Sequence, residues 1–172
     1  MTTFGQLVLS GLLIGGIYAL MSMGLTLIFG VLRIVNFAHG EFLMIAMYGV
    51  WAMRFFFGFN PYFAILAIVP AMFLFGLLVH RLMIAPGVDK PHLVLVFATM
   101  GLSILMQNVA LMLFTADLFD IPPMFGGRSI AIGPFFVSIE LLLGFVITGT
   151  ATLGLRWMIN STYLGKAIQN PD

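Results

Sequence analysis

A chain of 172 residues with only 8% charged side chains and 62% hydrophobic ones falls far below the roughly 25% charge of an ordinary soluble domain. It lacks the means to cover a water-facing surface, and the mean hydropathy of +1.15 agrees. Seven basic and six acidic residues leave a formal charge of +1, which excludes the electrostatic footprint of a nucleic-acid binder, and the absence of Cys removes disulfides, thiolate metal sites and thiol nucleophiles.

Lipid is therefore the expected solvent, and about 20 apolar residues per helix are needed to cross it. Residues 1–6 carry no basic leader region, and the apolar run continues to Leu32 without a small-residue cleavage site, so the first segment reads as a retained span. Charge-poor runs of suitable length cover residues 4–29, 41–57, 62–79, 93–114 and 136–158. No alternating strand pattern of barrel type stands out. The predicted fold is all-α: a polytopic transmembrane helical bundle of about five spans in one domain, residues 1–172. The residue 115–135 connection, with Asp117, Asp120, Pro122, Pro123, Gly126, Gly127 and Arg128, has a polar, turn-forming composition and belongs in water. Arg81 and Lys90 lie between spans three and four, and Arg156 and Lys166 follow span five. The positive-inside rule then makes those segments cytoplasmic and puts the amino terminus outside, with Arg54 and Arg128 as exceptions.

Within span one, Gly11, Gly15 and Ala19 recur every four residues, a small-residue face suited to close helix packing. Between spans one and two, Asn36, His39, Gly40 and Glu41 bring an amide, an imidazole, a glycine and a carboxylate together among apolar neighbours. Gly40 permits a backbone break, Asn36 or His39 can accept from free helix N–H groups, and Glu41 complements the positive end of the following helix. Two readings fit: a capped turn at the cytoplasmic interface, or a broken helix start that lines or hinges a translocation path. Depth in the membrane separates them. Metal binding is not expected, because His39 has no second His at helical spacing.

Span four aligns Thr99, Ser103 and Gln107 at i, i+4 and i+8, with Asn108 adjacent. This polar stripe is expected to face the bundle interior, either hydrogen-bonding between helices or lining a path. Glu140 is placed at an interfacial helix start. After span five, residues 156–172 turn more polar, and a short helix capped by Ser161 or Thr162 would present Leu164 beside Gly165 and Lys166 on the cytoplasmic side. No phosphate-binding Gly-x-x-x-x-Gly-Lys-Ser/Thr loop occurs, and no nucleophile stands beside a base, so no enzyme and no cofactor are expected.

The runs Gly15-Gly-Ile-Tyr-Ala-Leu20, Gly24-Leu-Thr-Leu-Ile-Phe-Gly30 and Asn36-Phe-Ala-His-Gly-Glu41 resemble the opening of the branched-chain amino acid ABC permease family, of LivH type. Residues 99–108 resemble that family's fourth span. Residues 161–167, which hold Ser161, Thr162, Leu164, Gly165 and Lys166, resemble its cytoplasmic ATPase-coupling loop. The resemblance covers essentially the whole chain and implies a homologous second permease subunit, cytoplasmic ATP-binding subunits and an external solute-binding protein, in a bacterial-type inner membrane. It also implies further helices beyond residue 172, so an amino-terminal portion of a permease is expected. Urea or short amides are the alternative cargo, and an ATP-independent channel or scaffold is the alternative class.

The expressed chain is expected to sediment with membranes and to resist extraction by alkaline carbonate. Recovery as a monodisperse species in detergent-free buffer would overturn the membrane assignment.

Overall fold

The computed structural model describes residues 2–32, 36–115 and 117–161. Their elements are α1 (Thr2–Leu32), α2 (His39–Phe57), α3 (Pro61–Val79), α4 (His92–Phe114), the strands β1 (Ser129–Ile132) and β2 (Phe135–Ser138), and α5 (Ile139–Ser161). Five helices among the described residues are long and apolar enough to cross a membrane. The chain forms two compact units, residues 1–33 with 122–172 and residues 34–121.

In the first unit α1 lies along α5. The approach is close at Gly16, where an added Cβ would stand 2.5 Å from the Phe145 ring, whereas Cβ atoms at Gly11 and Gly15 would meet nothing within 4 Å. The face that α1 turns to α5 is therefore not the face of Gly11, Gly15 and Ala19, all of which point outward. Hydroxyls along both helices bond their own backbone: Ser22 to the Tyr18 carbonyl at 3.0 Å, Thr26 to Ser22 at 2.8 Å, Thr148 to Gly144 at 2.9 Å and Thr150 to Val146 at 2.8 Å. Satisfied this way, they can face an apolar surround without stranding a polar group.

The fifth helix starts at Ile139 rather than at Phe136, because residues 135–138 are β2. That strand pairs antiparallel with β1, Ile132 opposite Phe135 and Ser129 opposite Ser138. Gly133, with φ 62°, and Pro134 form the two-residue turn, and a glycine in the first central position is what a type II′ hairpin requires. Gln6 fixes the hairpin to α1. Its side-chain oxygen accepts from the Phe136 N–H at 2.9 Å, and its amide nitrogen donates to the Phe136 carbonyl. The side-chain amide thus stands in for a third strand. Ser138 then caps α5 by accepting from the Leu141 N–H at 3.2 Å.

In the second unit α2 and α3 form a helical hairpin. Gly58 ends α2 in the left-handed region (φ 67°), Asn60 caps α3 through the Tyr62 N–H at 2.9 Å, and Pro61 occupies the first turn. The two helices come close at Gly49, where an added Cβ would lie 2.7 Å from Ile68. Beyond Val79 the chain winds as a five-residue π segment, His80–Ile84, and a 3₁₀ turn, Ala85–Gly87, before α4 begins. Ala38, Val79, Leu102 and Met106 make the buried core, flanked by Phe42, Ile45, Phe75 and Met83.

Replacing Gly16 by Val should lower the unfolding free energy in micelles by about 1–3 kcal/mol, the usual cost of overpacking. The same change at Gly15 should stay within about 0.5 kcal/mol. Equal losses at both positions, read by thermal unfolding, would contradict the helix orientation described here.

Candidate functional site: a carboxylate held between α2 and α4

The residues before α2 are arranged as an Asx turn. The Asn36 side-chain oxygen accepts from the Ala38 N–H at 3.0 Å, and its carbonyl accepts from the His39 N–H at 3.3 Å. Ala38 itself has no exposed surface and lies against Val79, Leu102 and Met106. Helix α2 therefore starts beside the middle of α4, not beside its end. Leu102 is ten residues into α4, ~15 Å along that helix at about 1.5 Å per residue.

Position at the start of α2 gives Glu41 its significance. It lies in the first turn of α2, where the unpaired N–H groups favour an anion. Gln107 donates from Nε2 to Glu41 Oε1 at 2.6 Å, and the same nitrogen stands 3.4 Å from Ser103 Oγ. The Ser103 hydroxyl lies beside the carboxylate. The second carboxylate oxygen, Oε2, is sealed from the outside and has no hydrogen-bond partner among the described residues. This is a carboxylate with one oxygen clamped and the other enclosed.

Of the residues singled out in the sequence, the structure brings Glu41, Ser103 and Gln107 together across two helices. Thr99 is one turn further along the same face of α4, buried, and donates to the Val96 carbonyl at 3.0 Å. Asn108 is set apart: it points outward and donates to the Ile104 carbonyl of its own helix at 2.7 Å. Gly40 faces open space at its Cα. Gly11, Gly15 and Ala19 are in the other unit. Ser161 is the last residue of α5, while Thr162, Leu164, Gly165 and Lys166 lie outside the described residues.

Sequence reasoning missed the strained residue after α4. Thr115 has φ 61° and ψ −170°, a conformation that costs a non-glycine residue about 1–3 kcal/mol, and its hydroxyl donates to Asp117 at 2.6 Å. Only the composition of the 115–135 connection hinted at it. Glu140, expected at a helix start, is there, and accepts from the Phe125 N–H at 3.3 Å.

Residues 7–170 match the family model described as branched-chain amino acid transport system / permease component. The chain belongs to this family. Its relatives include the high-affinity branched-chain amino acid transport system permease proteins BraD of Pseudomonas aeruginosa (26% identical over 94% of this chain) and LivH of Escherichia coli K12 (27% over 95%). LivH of Salmonella typhimurium is 26% identical over 95%. The chain spans 57% of the length of each of these relatives. No solved structure matches it. As in a permease component generally, the chain is a multi-pass membrane protein.

Replacing Gln107 by Leu removes the amide donor to Glu41, leaving the Ser103 hydroxyl beside it, and should destabilise the protein by about 1–3 kcal/mol. The double change Glu41→Met with Gln107→Leu should recover most of that loss, because it removes the orphaned charge together with its partner. A double variant as unstable as the single, measured by thermal unfolding in micelles, would show that the pair does not act as one unit.

Proposed function

We propose that this chain is a membrane-spanning permease component of an ABC importer that moves branched-chain or related amino acids across a bacterial-type inner membrane. ATP-binding subunits on other polypeptides drive it, a homologous permease subunit completes the path, and an external solute-binding protein delivers the cargo. Membership of the permease family and the names borne by its relatives support the cargo class. The observation that supports the mechanism is the Glu41 carboxylate in the first turn of α2, bonded to Gln107 of α4 through one oxygen and with the other enclosed. In this proposal the start of α2 lies within the membrane, where a carboxylate needs partners from the protein or from a wet path, and in transporters broken helix starts line such paths.

In this reading Asn36, His39, Gly40 and Glu41 form the hinge or wall of the path and Thr99, Ser103 and Gln107 its facing side. Switching between outward and inward states exchanges Glu41 between Gln107 and another donor, and ATPase closure selects between the two states by differential stabilisation. The amino terminus lies outside and residues 162–172 lie on the cytoplasmic side, where Ser161, Thr162, Leu164, Gly165 and Lys166 dock on the ATPase. Arg81, Lys90 and Arg156 support this orientation. The contrary charge, Arg54, has a local use: at the negative end of α2 it donates to the Gly58 carbonyl at 3.3 Å.

In the assembled, reconstituted complex, Glu41→Gln and His39→Ala should each reduce ATP-coupled uptake of leucine at least tenfold while assembly is retained. Normal coupled uptake in both variants would remove these residues from the path. Gly165→Trp should leave ATP hydrolysis running with little uptake, and unaltered coupling would place the ATPase contact elsewhere.

A further inference from the structure

Among the described residues, the second unit includes cavities of different chemistry. One, of about 560 Å³ between α2, α3 and α4, is lined mostly by apolar residues such as Ile45, Phe75, Leu102 and Met106, with no charged side chain among the described residues. Acyl chains fill such a space without discrimination, because an apolar group gains little on leaving lipid for an apolar wall. The other, of about 680 Å³, lies between α2, α3 and residues 117–121. Met44, Met47, Ile65 and Ile68 form its apolar wall, and Asp117 and Asp120 line it together with Trp51 and Phe119.

We propose that this second cavity binds an organic cation with an apolar body, its ammonium held by Asp117 and Asp120 beside the rings of Trp51 and Phe119. The volume is that of an ordinary small-molecule site. Charge selects the ligand. Among the described residues two carboxylates line the cavity and no Lys, Arg or His does, so an anion is repelled. A zwitterionic amino acid brings a carboxylate back against the same two aspartates. A neutral apolar molecule meets nothing there that the bilayer does not already offer, so selectivity has to come from the positive charge.

The aromatic rings add to this. Trp51 and Phe119 have centroids 4.4 Å apart at 58°, and Tyr48 stands 6.2 Å from Phe119, edge to face. A cavity lined by aromatic rings as well as carboxylates draws an ammonium by both quadrupole and charge. Asp117 is held in position by the Thr115 hydroxyl at 2.6 Å, so its orientation is fixed before a ligand arrives. Asp120 also lines the cavity and is exposed.

The chain contains two tryptophans, so Trp157→Phe leaves Trp51 as the only indole reporter inside the cavity wall. With that chain in nanodiscs of zwitterionic lipid, titration with 3-phenylpropylammonium should change Trp51 fluorescence saturably. The isosteric 3-phenylpropanol and the anion 3-phenylpropanoate should give no saturable change, and L-leucine should give none at concentrations that saturate the amine site. Asp120→Asn should raise the half-saturating amine concentration several-fold, and the double change Asp117→Asn with Asp120→Asn at least tenfold, with helix content by circular dichroism unchanged. An equal response to the alcohol, saturable binding of leucine at similar concentration, a response linear in amine, or one untouched by the double change would each overturn the proposal.

Discussion

A single carboxylate bonded across two apolar helices sets the terms for the second unit. Lipid offers no hydrogen bonds, so a polar group on a membrane-spanning helix must find its partner in protein or in a wet path. Glu41 finds one in Gln107, 66 positions away, across the gap between α2 and α4. This bond fixes the rotation of two helices at once, because Gln107 can reach the carboxylate only if the Thr99–Ser103–Gln107 stripe of α4 is turned toward the first turn of α2. The buried core of Ala38, Val79, Leu102 and Met106 beside it is packing of ordinary apolar groups, which by itself tolerates several rotations; the directional bond does not.

Elsewhere the same constraint is met more cheaply. Ser22, Thr26, Thr148 and Thr150 fold their hydroxyls back onto their own helices, and Asn108 does the same with an amide. These residues need no neighbour and carry no information about which helix lies beside them. Gln6 shows the opposite use of an amide, spending both its oxygen and its nitrogen on the main chain of Phe136 and so holding the β1–β2 hairpin at one end of α1. A polar residue in an apolar helix thus specifies an arrangement only when its partner is distant in sequence.

This distinction explains what could be read from the sequence. The five spans follow from composition and length, and their limits agree with the structure to within three residues; at the start of α5 the difference is one of kind, strand against helix. There the run 136–158 looked uniformly apolar, but Phe136 and Val137 alternate between outward and buried positions in β2. A four-residue strand ahead of a helix leaves too short a period to detect, and the amide that anchors it is 130 residues away. The polar stripe of α4 and the turn at Asn36 were each legible as local patterns. Their meeting at Glu41 was not, since nothing in either segment names the other. Small residues on α1 were equally ambiguous: glycines line both sides of that helix, and only the position of Phe145 shows that Gly16 is the one used against α5.

The π segment after α3 bears on how this family can vary. In His80–Ile84 the Ala85 N–H reaches back five residues to the His80 carbonyl, one residue more than regular winding needs. A helix that gained a residue without such a widened coil would rotate everything downstream by about 100°, carrying the apolar side of α3 off its partners. Here the surplus is absorbed in one loop of the spiral, and the flanking stretches keep their facing. A homologue wound regularly at this place would carry one position fewer between Val79 and Ala85, and its neighbouring helices would present the same sides to each other as they do here.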